Sequence, residues 1–179
     1  MRRLMLLRHA KTERDSLSGQ DRDRRLDTRG RDDAPTMAHY LAAHQLIPDL
    51  TLVSPAVRTR ETWDLMAGVL KPAPAHEIVP DLYGADALEL LAIVRAAQGR
   101  SDDADLRCLM VVAHNPGLQE FALELIAKAG RRERKALEDN LPTSGLAVLD
   151  FAIEDWNDIA PQRGTLDRFV SPRLLREGD

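Results

Sequence analysis

The sequence predicts an α/β protein, a three-layer α/β/α sandwich built on a mostly parallel central sheet with an antiparallel edge. Three observations carry that prediction. Short apolar runs alternate along the chain with stretches whose apolar residues recur every three or four positions, the pattern of strands joined by crossover helices. The runs at residues 4–7, 50–53 and 108–112 are nearly continuous rather than alternating, as expected of strands covered on both faces. Residues 146–153 read as an alternating strand, so the tail should add strands of a different kind. A length of 179 residues, 44% of them hydrophobic, suits one domain spanning 1–179.

The elements follow in order. Residues 4–7 form a first strand that breaks at the charged pair Arg8-His9. Residues 11–27 are almost wholly polar and show neither period, so they read as a long loop, which in a compact domain is usually functional. Thr28 can cap a helix whose apolar face is Ala34, Met37, Ala38, Leu41 and Ala42, and Pro48 lies beyond its end. Residues 50–53 are a second strand. Ser54-Pro55 then supplies a cap and a proline for the first helical turn, so the next helix should start at once, with Val57, Trp63, Met66, Ala67 and Leu70 inward. It stops before Pro72 and Pro74. Residues 78–79 are a weak third strand, and 87–97 a helix with Leu88, Leu91, Ala92 and Val94 to pack. Residues 108–112 are a strong fourth strand. Pro116 opens another helix, with Leu118, Phe121, Ala122, Leu125 and Ile126 as its stripe. The cluster at 131–135 reads as a solvated helix face. Residues around Trp156 and 168–170 read as further short strands.

Composition removes several function classes. A net charge of −4, a pI near 5.8 and 4% aromatics argue against a nucleic-acid binder working through a basic face and stacking rings. Cys108 is alone, so no disulfide forms within the chain, and the reducing cytoplasm is the expected location. The opening apolar run is too short for a leader or a membrane span.

Chemistry concentrates at strand ends. Sites in open α/β sheets lie beyond the carboxyl ends of the parallel strands. Here the first strand ends in Arg8-His9, the second in Ser54 with Arg58 one turn further, and the fourth in His114-Asn115. Arginine offers a permanently charged fork matched to phosphate oxygens, and a helix start nearby points free N–H groups the same way. A neutral imidazole in such a pocket is also a competent nucleophile toward phosphorus. Any one of these residues alone is more simply structural, and His39, His44 and His76 are read that way. Convergence of two arginines and two histidines is what points to a phosphate site.

These residues resemble the motifs of a known family. Arg8-His9-Ala10-Lys11 is similar to the Arg-His-Gly or Arg-His-Ala signature of the histidine phosphatase superfamily, whose fold is phosphoglycerate mutase-like. Ser54-Pro55-Ala56-Val57-Arg58-Thr59-Arg60-Glu61-Thr62 resembles its Ser-Pro-x-x-Arg-x-x-x-Thr segment, and Ala113-His114-Asn115-Pro116 its second histidine motif. Within the superfamily the short chain resembles SixA-type phosphohistidine phosphatases: Arg24-Arg25-Leu26-Asp27-Thr28-Arg29-Gly30 is similar to their Arg-Pro-Leu-x-x-x-Gly stretch, with Arg25 in place of proline, and Pro142-Thr143-Ser144-Gly145 to a late loop. The resemblance implies that His9 attacks phosphorus and is transiently phosphorylated. Arg8, Arg58 and His114 would hold the non-bridging oxygens, with Ser54 and Asn115 also at the substrate. It implies no metal and no cofactor, and a phosphorylated protein of the histidine phosphotransfer type as partner.

One departure bears on substrate. Many members carry an acid in the loop after the third strand or directly after the second histidine, whereas Asp81-Leu82-Tyr83-Gly84 leaves a glycine there and Asn115 follows His114. A phosphoramidate needs less acid help than an alkyl phosphate once its imidazole is protonated, so the loss fits phosphohistidine. Asp21, Asp23, Asp86 and Glu13 could substitute but read better as solvated loop carboxylates. With room for few inserted segments, the pocket should be open, as a protein-borne phosphate requires. The alternatives are a phosphatase of a small phosphomonoester, a non-catalytic phosphoprotein-binding module, and a metal site on His9 and His114; the last has no carboxylate at convincing ligand spacing.

Overall fold

The computed structural model describes residues 1–100 and 105–178. Seven strands make one sheet: β1 (Arg2–Arg8), β2 (Leu50–Val53), β3 (Ala75–Ile78), β4 (Cys108–Ala113), β5 (Ile126–Lys128), β6 (Leu146–Phe151) and β7 (Gly164–Val170). Their order is β3-β2-β4-β1-β6-β7-β5. β2 runs parallel to β3 and β4, and β4 parallel to β1, while β6 is antiparallel to both β1 and β7. The antiparallel strand therefore lies inside the sheet, beside β1, and β5 pairs parallel with β7 at the margin.

Alternation along the central strands divides the core. Leu4, Leu6, Leu109, Val111 and Ala113 face one side, with α3 (Ala87–Arg95), α4 (Gly117–Leu125) and α5 (Arg131–Asp139). Met5, Leu7, Met110 and Val112 face the other, against α1 (Thr28–Ala43) and α2 (Val57–Val69); the short α6 (Pro172–Glu177) closes the chain. The central strands are thus apolar throughout because both faces are covered, and each fully buried leucine contributes roughly 1.5–3 kcal/mol relative to exposure. Among the described residues no helix is long and apolar enough to cross a membrane.

Several local expectations change. The cap of α1 is Asp27, not Thr28: its carboxylate accepts the Gly30 N–H at 2.8 Å. The Ser54-Pro55 pair does not begin α2, which starts at Val57 with no side-chain cap. The Thr59 hydroxyl instead donates to the carbonyls of Ser54 and Ala56, fixing the bend between strand and helix. Val57 is only half-buried, and Leu88 is exposed because α3 turns that face to solvent. The segment at Trp156 is a 3-10 turn (Trp156–Asp158) rather than a strand, with the indole fully buried and donating to the Leu106 carbonyl at 2.8 Å. β5 and α6 were not expected; three and six residues are too few to show a period.

Candidate active site

Register alone assembles the site. β2, β4 and β1 are neighbours, Arg8 lies opposite Ala113, and Val53 opposite Val112. His9, Ser54 and His114 thus leave three adjacent parallel strands at nearly one level. The rings of His9 and His114 stand 5.4 Å apart between centroids.

The His9 ring is held by one bond. Its Nδ1 lies 2.8 Å from the Ala10 carbonyl, which can only accept, so Nδ1 carries the proton and Nε2 keeps its lone pair. Burial, reinforced by the charges of His114, Arg58 and Arg8, pushes its pKa down to about 3. His9 is consequently neutral at physiological pH. Its backbone is clamped as well. His9 N–H donates to Ala113, and the Ala10 N–H donates to the Thr62 hydroxyl, which itself donates to the Arg58 carbonyl of α2. A single Ser144 N–H is shared between the carbonyls of Arg8 and His9, at 3.1 and 3.0 Å. Ser144 adopts φ +58°, a left-handed conformation that non-glycine residues rarely occupy, so the late loop bears backbone strain where it braces the histidine.

His114 is also neutral, lowered to about 4 chiefly by burial and next by Arg58. Its Nε2 sits 2.6 Å from the Ser54 hydroxyl, and Nδ1 is buried without a partner. Ser54 was expected to touch substrate, but it is fully buried and its hydroxyl is spent on His114. The Asn115 amide donates to the Leu141 carbonyl, the same oxygen that receives Arg8 Nη1, while its Oδ1 is buried without a partner. Arg8 Nε has no partner, and burial together with the nearby Arg58 charge lowers the pKa of that guanidinium. Two like-charged guanidiniums thus stand beside two neutral histidines.

Asp21 is exposed in the 11–27 loop, as expected, but it is also bonded to Arg58. It is no isolated loop carboxylate. The bases of the 11–27 loop are joined by a bridge between Thr12 and Leu26, and a short 3-10 turn (Asp21–Asp23) brings Asp21 onto Arg58. Arg58 Nη1 donates to the Asp21 carbonyl at 2.8 Å and Nη2 to its carboxylate at 3.0 Å. The carboxylate also accepts from the Tyr83 hydroxyl at 2.8 Å and from Arg24 at 3.1 Å. Those bonds, that of Tyr83 foremost, hold its pKa down at about 2. Tyr83 meets the His114 ring edge-on, 5.6 Å between centroids. Thus the loop after β3 presents a tyrosine and, through it, a carboxylate borrowed from another loop. Asp86 is spent as the cap of α3, and Asp23 accepts from Ser18. Only tertiary contact identifies Asp21, since nothing in its spacing separates it from its acidic neighbours. His44 bonds to Tyr40 and His76 lies against Trp63, away from this cluster. Among the described residues, no group of three His, Cys, Asp or Glu side chains is placed to hold a metal ion.

Comparison with known proteins gives the same picture. Residues 4–87 match the model of the histidine phosphatase superfamily, branch 1. The candidate phosphohistidine phosphatase SixA of Agrobacterium tumefaciens is 30% identical with TM-score 0.77, covering 96% of this chain and 98% of that one. That of Nakamurella multipartitia is 26% identical with TM-score 0.80, covering 96% of each chain. An uncharacterised chloroplastic protein of Arabidopsis thaliana is 34% identical over 68% of this chain, and the match spans just 57% of that protein's length. With residues 4–87 matching that family model and a 30% identical SixA structure covered over 98% of its length, the chain belongs to the histidine phosphatase superfamily.

Proposed function

We propose that the protein is a phosphatase that hydrolyses phosphohistidine on a protein, through a phosphoryl group carried transiently by His9. The observation that carries this reading is the His9 ring: buried, neutral, with Nδ1–H fixed on the Ala10 carbonyl and Nε2 free. A histidine that served only to bind an anion would be better protonated. As nucleophile, its Nε2 lone pair forms the new P–N bond while the bond from phosphorus to the leaving group breaks. The unpartnered Nε–H of Arg8 and the remaining N–H groups of Arg58 supply fixed positive charge to the phosphoryl oxygens. His114, with Ser54 on Nε2, offers its unpartnered Nδ1 to the same group, and the arriving phosphate charge favours its N–H form. Water then attacks phospho-His9 and returns the neutral imidazole.

Phosphohistidine is favoured over a phosphate monoester for two reasons. The likeness to SixA structures covers nearly the whole chain. Moreover, the carboxylate at the site is held ionised and cannot donate a proton to an alkoxide.

The test is to trap the intermediate. Quenching the enzyme during turnover of p-nitrophenyl phosphate should leave phosphate on His9 by mass spectrometry, and His9→Ala should abolish turnover. Unchanged turnover in His9→Ala would exclude the covalent route. A phosphohistidine-bearing protein should be turned over faster than an alkyl phosphate; the reverse order would move the substrate to small phosphomonoesters.

A further inference from the structure

Resting on that reading, we propose that Asp21 sets substrate specificity: its carboxylate, joined to Arg58 and Tyr83 beside His114, receives the ring N–H of the leaving imidazole. Four observations support this. The carboxylate accepts three hydrogen bonds, from Arg24, Arg58 and Tyr83, and a carboxylate offers about four acceptor positions, so one remains open. Its side chain is 53% exposed, so an arriving group can reach it from solvent. Tyr83, which holds it, packs edge-on against His114, so Asp21 lies one side chain away from the histidine pair. Finally, the negative charge of Asp21 acts on His114 itself, raising its pKa against the burial that lowers it.

The chemistry separates two kinds of leaving group. A phosphate ester departs as an oxyanion, which a carboxylate repels and cannot protonate. Phosphohistidine whose second ring nitrogen carries a proton has a cationic ring, and that ring departs as neutral imidazole. In that step the His9 Nε2 lone pair forms the P–N bond, the substrate's P–N bond breaks, and its electron pair stays on the departing nitrogen. The proton remains where it was, on the other ring nitrogen, facing Asp21. Positive charge passes from the substrate ring to the His9 ring, whose Nδ1–H is already held by Ala10. No external acid enters the step. An ionised Asp21 therefore selects the protonated ring, and the site has a proton acceptor where an ester phosphatase would need a donor.

Asp21→Asn is nearly isosteric, keeps an oxygen for Arg58 and Tyr83, and removes the charge. At pH 8 it should lower kcat/KM for a phosphohistidine peptide on the order of tenfold, the difference between a charge-assisted and a neutral hydrogen bond. It should raise kcat/KM for p-nitrophenyl phosphate, whose phenolate no longer meets a carboxylate. Asp21→Glu should recover part of the selectivity. An equal loss on both substrates would reduce Asp21 to a brace for Arg58, and an unchanged peptide rate would also overturn the proposal. If the unaltered enzyme hydrolyses the ester but not the peptide, the phosphohistidine reading itself fails, before any Asp21 variant is compared.

Discussion

Ser54 shows how the site depends on a fully buried residue. Its hydroxyl is fully buried and lies 2.6 Å from His114 Nε2, in a pocket where burial already keeps His114 neutral. Ser54→Ala leaves that nitrogen without a partner, a loss of roughly 1–3 kcal/mol for a buried polar group. We expect lower stability by chemical denaturation and a fall of kcat/KM on the order of tenfold, because the ring loses the bond that orients it. Ser54→Thr, which retains the hydroxyl, should restore more activity than stability. Sequence spacing selected Ser54 correctly as part of the cluster, yet only the fold shows that it acts on the histidine. The same holds for Asn115, whose amide and Arg8 meet on one carbonyl, that of Leu141.

At the scale of elements, the site is built where strands hand over to helices, and close packing at those joints constrains sequence. Gly30 lies in the first turn of α1, where an added Cβ would stand 2.1 Å from the Lys11 carbonyl oxygen. No side chain fits there without moving backbone. Gly30→Ala should therefore destabilise despite alanine's higher helix propensity, by roughly 1–3 kcal/mol or more for overpacking. Because Lys11 lies two residues after His9, the variant should also lose activity at temperatures where it remains folded. Circular dichroism melting beside a turnover assay separates the two losses. The helix at 28–43 was legible from its periodic stripe, but its cap was not, since Asp27 and Thr28 are both good caps and only the chain's entry angle chooses between them.

For the whole molecule, two buried neutral histidines tie stability to pH. Both are lowered in the folded state, His9 to about 3 and His114 to about 4, from an ordinary value of 6.5. Between those values and 6.5 the unfolded chain binds more protons than the folded one, so stability falls as pH drops through that window. Melting temperature should decline from pH 7 toward pH 4, and the double variant His9→Gln, His114→Gln should show a shallower decline. An oxyanion that fills the pocket should raise the melting temperature at neutral pH by mass action, and Arg58→Ala should remove that rise. Equal acid sensitivity in the double variant would place the effect on other groups.

The amino-acid sequence alone carries the fold class and the candidate quartet. Apolar runs covered on both faces have to lie inside a sheet, and polar residues that end such runs have to lie at its carboxyl edge, so Arg8, His9, Arg58 and His114 were legible from local pattern and motif. Tertiary structure decided what no local pattern encodes. It placed β6 inside the sheet, set the Ser54 hydroxyl on His114 and the Asn115 amide on the Leu141 carbonyl, strained Ser144 across the His9 carbonyl, and carried Asp21 onto Arg58 and Tyr83. The physical reason is range: strand and helix periods are written over a few neighbouring residues, whereas a hydrogen bond across 37 or 62 positions exists only once the chain has folded.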